Sequence, residues 1–202
     1  MNVVEVVRGD VVEARHTVHI AVADADGRVV ARAGNIDGLT YYRSSAKPLQ
    51  ALPLVEEGVT SRFGISLPEL ALCCASHEGE PEHVATARSI LSKIGVDEGL
   101  LRCGPHLPLG TEASQALLML GGQAMPIHNN CSGKHAGMLA LAVGMGWDPV
   151  DYHLPGHPVQ DRMLREILRW TGLGEGQVPT GVDGCGVVCF AAPLYQIAKS
   201  FA

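Results

Sequence analysis

Residues His128-Asn129-Asn130-Cys131-Ser132-Gly133-Lys134-His135-Ala136-Gly137-Met138 gather a thiol, an amine, two imidazoles, two carboxamides and a hydroxyl into one short stretch. They run into the apolar Leu139-Ala140-Leu141-Ala142-Val143, so this chemistry stands at the mouth of a helix. Asn129 or Asn130 can cap that helix by accepting a first-turn N–H, and Cys131 then sits where the helix dipole lowers a thiol pKa. Cys131 and Lys134 are three positions apart and share a helical face. Gly133 and Gly137 each lower helix propensity by about 1 kcal/mol relative to alanine, which points to bulk being excluded, by close packing or by a ligand. The plain alternative is a capped, buried helix with an incidental cysteine.

Three further clusters carry reactive groups. In Arg43-Ser44-Ser45-Ala46-Lys47, Ser44 and Lys47 stand at i and i+3, the spacing at which a lysine amine can take a serine proton. The lysine must then have a pKa depressed by burial or by another cation. A bare Ser-x-x-Lys also arises by chance and by itself reads as an ordinary helix start. Ser76 and His77 fall where the apolar stretch from Leu67 to Ala75 turns into the polar loop Glu78-Gly79-Glu80. In Asp183-Gly184-Cys185-Gly186 the glycines require positive φ or close approach of the backbone to something, although a tight turn after a strand would look the same.

The elements that must position these groups fall in two regimes. Val3–Val7, Val11–Ala14 and Val18–Val22 are short β-branched runs, and Asp26-Gly27 before Arg28-Val29-Val30 signals a hairpin, so the chain opens in antiparallel sheet. From Ser44 to Glu57 the leucine spacing turns helical, with Pro48 in the first turn and Pro53 implying a kink or break. Helices are expected over 82–94 with Gly95 as its C′ residue, over 111–120, and over 158–170 with Val159, Met163, Ile167 and Leu168 inward. The segment Ala191 to Ala202 reads as the start of a helix without a polar cap. Gly172, Gly174 and Gly176 lack the lysine and context of a phosphate loop.

Composition bounds the class. The 202 residues suffice for one substantial core, so a single domain spanning 1–202 is the default. Hydrophobic residues make up 47% and charged ones 18%, which excludes disorder. A net charge of −6 without a basic patch argues against nucleic acid as a partner. No apolar run reaches the length of a membrane span, and Met1-Asn2-Val3-Val4-Glu5 shows no leader pattern, so a cytoplasmic location is expected. The six cysteines, at 73, 74, 103, 131, 185 and 189, read as thiols rather than a disulfide framework. Cys73, Cys74 and Cys189 fit buried hydrophobes; Cys131 and Cys185 stand in polar, glycine-rich settings.

Taken in order, the motifs at 43–47, 76–80, Leu101-Arg102-Cys103-Gly104, 128–138, His157-Pro158-Val159-Gln160 and 183–186 resemble those of the zinc-containing L-asparaginases of rhizobial type, the asparaginase II family. The resemblance implies an α+β fold like the serine β-lactamases and glutaminases, an antiparallel sheet flanked by helices. It implies hydrolysis of the side-chain amide of L-asparagine, with Ser44 as nucleophile, Lys47 as its base, and Ser76 with Lys134 as a second serine–lysine pairing. Cys131, Lys134 and Cys185 are the implied zinc ligands, and a lysine ligand requires a neutral amine, which a divalent cation would enforce. Asp183 is the implied substrate-orienting carboxylate, joined as substrate-binding candidates by Arg43, His128 and Asn130. The resemblance further implies a homodimer. Members of that family are longer chains, so it also implies that the C-terminal third is absent, leaving an apolar surface near Ala191 to Ala202. Two other readings stand beside it: a zinc-binding structural or interaction module without catalysis, and a penicillin-interactive serine hydrolase, which shares Ser44 and Lys47 but does not predict Cys131 and Cys185.

Overall fold

A computed structural model describes residues 3–202; Met1 and Asn2, where the stretch examined for a leader begins, lie outside the described residues. In chain order the strands β1 (Val3–Arg8), β2 (Val11–Thr17), β3 (Ile20–Ala23), β4 (Val29–Ala33) and β5 (Leu39–Tyr41) come first. The helices α1 (Lys47–Glu56), α2 (Val59–Phe63), α3 (Leu67–Cys74), α4 (Pro81–Ile94), α5 (Thr111–Met119), α6 (Ser132–Met145) and α7 (Pro158–Thr171) follow, and then β6 (Thr180–Val182), β7 (Val188–Pro193) and α8 (Leu194–Lys199). The class is α+β, with the strand pairing held in small sheets rather than one broad one. No helix among the described residues is long and apolar enough to cross a membrane.

The contacts divide the chain into two compact units, where composition suggested one domain. The first comprises residues up to Tyr42, Ile167–Pro179 and Phe190–Ala202. Within it β1 and β2 pair antiparallel from Val3↔Thr17, with a register shift between Val6 and Val7, and β3 pairs with β4 from Ile20↔Ala33. The hairpin expected at Asp26-Gly27 is closed by Asp24, whose carboxylate accepts the N–H groups of Asp26 and Arg28. Leu39, Thr40 and Tyr41 pair antiparallel with Pro193, Ala192 and Ala191. The segment read as the start of a helix is thus strand as far as Pro193, because Ala191 and Ala192 are buried in this sheet, and α8 occupies only the rest. Ser200 terminates α8 by donating to the Ile197 carbonyl at 2.7 Å, the polar stop that the sequence had not disclosed. Exposed apolar side chains lie less along 191–202 than on the β1–β2 ribbon, at Val4, Val6, Val7 and Val11.

The second unit, Arg43–Glu166 with Thr180–Cys189, is built around α6. Every residue of α6 from Ser132 to Ala142 is buried, against α1, α2, α3 and α4. A helix buried on all faces has no room for an amphipathic stripe, which is why its sequence carries small and apolar residues all round. α1 begins with Pro48 in its first turn and runs through Pro53 without breaking, and Glu57 N–H closes onto the Pro53 carbonyl. α4 ends on Gly95 in the left-handed conformation, as its sequence predicts. Arg162 of α7 draws together Glu56, Glu57 and Glu166, so the charged face of that helix is pinned by ion pairs.

The two glycines of α6 are explained by packing. A Cβ on Gly133 would lie 2.6 Å from the Leu72 carbonyl oxygen, and one on Gly137 would lie 2.9 Å from the Cys73 sulfur. Backbone cannot retreat as a flexible side chain can, so Gly133→Ala is expected to destabilise the protein by about 1–3 kcal/mol, the usual cost of overpacking. Chemical denaturation would show it as a lowered midpoint; an unshifted midpoint would refute the tight α3–α6 contact.

Candidate functional site

The close approach of α6 to α3 sets the residues before α6 against those after α3. Ala75 ends α3 in an extended conformation, and the His77 N–H donates to the Asn130 carbonyl at 3.2 Å. The segment 75–77 is thereby fastened beside the entry to α6. Asn129 shapes that entry: its side-chain oxygen accepts from Cys131 N–H at 2.8 Å, and its amide donates to the Cys103 and Gly104 carbonyls. Cys131 itself is the first flanking residue of α6, and its thiol caps nothing.

Lys47, at the start of α1, reaches into this junction and is only 1% exposed. Its amine lies 2.8 Å from the Ala75 carbonyl, 2.8 Å from Ser76 Oγ and 3.4 Å from the Asn130 carbonyl. Burial pushes its pKa down; the neighbouring Cys131 opposes that shift and Lys134 reinforces it. Two carbonyls and one hydroxyl oxygen thus surround the amine, and no carboxylate is among them. The lysine expected to be depressed is therefore in the environment that depresses it. Its serine partner is Ser76, however, rather than Ser44. Ser44 lies exposed on the 3-10 turn Arg43–Ala46, and its hydroxyl makes no hydrogen bond among the described residues. The expected pairing of Ser76 with Lys134 is likewise replaced by Ser76 with Lys47.

Lys134 turns to the other side of α6 and donates to Cys185 at 3.0 Å. Cys131 and Cys185, 54 positions apart in sequence, lie close enough for their thiols to interact, and all the cysteines are free thiols. Each thiol shifts the other. The contact with Cys131 holds the Cys185 thiol well below the ordinary range, while the same contact together with burial raises Cys131. Gly186, at φ +86°, lets the β6–β7 connection turn Cys185 inward, and Asp183 N–H bonds the Val187 carbonyl to close that turn.

Arg43 and Asp183 form an ion pair at 2.9 Å. Arg43 holds the left-handed conformation at φ +51°, which is uncommon outside glycine and clusters at functional sites. Its side chain is 65% exposed, so solvent and solutes reach the pair. Asn130 contributes its carbonyl to Lys47, and its N–H donates to His106 Nε2 at 3.3 Å. His128 is turned away: it lines a separate cavity of about 570 Å³ with Gly79, Pro81, Val84, Arg88 and Leu117. Of the candidate residues, Lys47 and Ser76 meet, Cys131, Lys134 and Cys185 meet, and Arg43 meets Asp183.

Two participants, His106 and Tyr152, carried no assignable signal in the sequence, whereas His77 was marked by its place at the edge of the apolar stretch 67–75. His77 is buried, its Nδ1 accepts from Gly79 N–H at 3.1 Å, and its Nε2 bonds Ser132 Oγ at 2.9 Å. His106 supports Asn130 from a loop, and Tyr152 touches His135 from the connection between α6 and α7. His135 had a clue too, as the neighbour of Lys134 inside the central motif. No group of three or more histidine, cysteine, aspartate or glutamate side chains able to hold a metal occurs among the described residues; the cluster at 131, 134 and 185 has two sulfurs and an amine.

The L-asparaginase II family matches residues 4–202. The chain belongs to that family. No curated protein matches it. At the level of the family, this is a hydrolase of asparaginase type.

This L-asparaginase II family member should lose stability in mild acid. Burial, with His83 and Lys47 nearby, lowers the His77 pKa to about 4. Between pH 6.5 and about 4 the unfolded chain binds a proton there that the folded chain does not, so stability falls as pH falls through that window, by up to about 3 kcal/mol. His77→Gln is expected to flatten that part of a urea-midpoint-against-pH curve. An equally steep curve in the variant would assign the loss to other groups.

Proposed function

We propose that the chain hydrolyses the side-chain amide of L-asparagine to L-aspartate and ammonia through a serine ester intermediate, with Lys47 as the base. The observation that supports this most directly is the buried amine of Lys47 lying 2.8 Å from the exposed Ser76 hydroxyl. The serine oxygen attacks the amide carbon, Lys47 takes its proton and returns it to the departing nitrogen, and water then cleaves the ester. The hydrogen bond favours Ser76 as the serine that Lys47 deprotonates. Ser44 is the second candidate, supported by its exposure one helical turn before Lys47. Arg43 and Asp183 would exchange their mutual ion pair for the substrate's α-carboxylate and α-ammonium groups.

Zinc belongs to this reading. Two sulfurs and an amine in mutual contact form a soft donor set of the kind zinc takes, and the ring of His135 beside them carries a buried Nε2 without a hydrogen-bond partner. Cys131, Lys134 and Cys185 would hold the ion, which when bound supplies Lewis acidity. The homodimer implied by the resemblance is part of the same proposal, and sedimentation checks it.

Ammonia release from L-asparagine tests the reading. Lys47→Met is expected to lower turnover at least about 100-fold, the ordinary contribution of a general base. Ser76→Ala and Ser44→Ala separate the serines: the nucleophile is the one whose loss abolishes ester formation in a quenched reaction. Turnover unaffected by Lys47→Met, or by both serine variants, would overturn the mechanism and favour a module without catalysis.

Metal removal is the second check. A chelator is expected to lower turnover and to release about one zinc per chain, with added zinc restoring activity. Protein that is fully active while elemental analysis finds no zinc would overturn the metal assignment alone.

A further inference from the structure

His135 and Tyr152 are completely buried, and neither takes part in the acyl-transfer steps above. Their contact is specific. The Arg102 backbone N–H donates to Tyr152 Oη at 3.1 Å, so the phenol oxygen is already used as an acceptor. Tyr152 Oη lies 2.6 Å from His135 Nδ1, with the rings edge to face at 81°. A neutral imidazole has one N–H and one acceptor nitrogen. If Nδ1 held the proton, the buried phenol O–H would have nowhere to donate, and the lone pair of Nε2 would point into a site already rich in sulfur. If Tyr152 donates to Nδ1, its hydroxyl is satisfied on both sides, and the proton of His135 lies on Nε2.

That Nε2 has no partner of ordinary hydrogen-bond geometry among the described residues, and apart from Tyr152 the side chain with which the ring makes a hydrogen-bonding interaction is Cys185. A long N–H to sulfur contact fits both facts. Cys185 itself accepts from Lys134 Nζ at 3.0 Å and lies 4.0 Å from the Asp183 carboxylate, to which its thiol can donate.

We propose that Tyr152 is a positioning residue acting through His135: by donating to Nδ1 it holds the ring in its Nε2–H tautomer, one residue along α6 from Lys134. The relay runs from the Arg102 backbone to Tyr152 and His135, and it fixes a ring orientation that α6 by itself leaves open. Only its consequence for metal affinity rests on the zinc reading above, since supporting hydrogen bonds of this kind hold a ligand in its binding geometry.

Two-bond proton–nitrogen correlation spectra of the full chain, with the His135 signals identified from a His135→Gln sample, read the tautomer directly. The wild-type chain is expected to show His135 as Nε2–H, and Tyr152→Phe, with its fold checked by circular dichroism, to lose that single pattern for a mixture. An Nδ1–H ring in the wild type, or an unchanged tautomer in Tyr152→Phe, would overturn the proposal. Should Tyr152→Phe fail to fold, the wild-type spectrum still decides. Competition against a chromophoric chelator should show zinc bound at least about tenfold more weakly in Tyr152→Phe. A wild-type chain that binds no zinc would overturn the metal reading, and the tautomer would then stand or fall on the spectra.

Discussion

The site depends on how closely α6 approaches α3. With Gly133 against the Leu72 carbonyl and Gly137 against Cys73, two helices meet at a distance that no side chain permits. That approach brings the residues leaving α3, Ala75 to His77, within hydrogen-bond reach of Asn130 at the entry to α6. Lys47 can then touch Ala75, Ser76 and Asn130 with one amine. A wider spacing would leave the buried lysine facing unpaired carbonyls or none, and burial without partners is what a charged group tolerates least.

The electrostatics of the site follow from that crowding. Two lysines and two thiols lie buried in contact, and each group settles the state of the next. Burial presses Lys47 toward the neutral amine, the form a base requires. Among the sulfurs the pairing itself divides the roles, lowering Cys185 and raising Cys131. The histidines are neutral supports here: burial lowers both His77 and His135 to about 4, so near neutral pH they carry no charge into the cluster. A network of this kind is stabilising only when each donor finds an acceptor, which gives its satisfied members, Asn129 and Tyr152 among them, weight beyond their own hydrogen bonds.

Arg43 shows strain and charge combined. Its left-handed backbone costs about 1 kcal/mol or more, and its ion pair with Asp183 accompanies that conformation across the second unit. The segment that begins there delivers Ser44 and Lys47 in opposite directions, one to solvent and one to the core.

The sequence by itself determined the local elements and the inventory of reactive groups. The β-branched runs before residue 33, the left-handed stop at Gly95 and the helix behind Cys131 are local consequences of propensity and capping, and they stand in the structure where the pattern placed them. The family too was legible, because motif order along the chain survives without coordinates, and the match over 4–202 agrees with it. Tertiary structure alone decided the partners. Ser44 and Lys47 are i and i+3, yet Lys47 bonds Ser76, because the α3–α6 contact offers a buried acceptor that the neighbouring turn does not. Helix position marked Cys131 as the activated thiol, yet the β6–β7 turn brings Cys185 beside it, and each thiol shifts the other. Tyr152 had no sequence signal at all, since its contacts with Arg102 and His135 join positions far apart along the chain. Spacing along one helix fixes which side chains share a face; which face meets which is set by packing between elements, and that is a property of the whole fold.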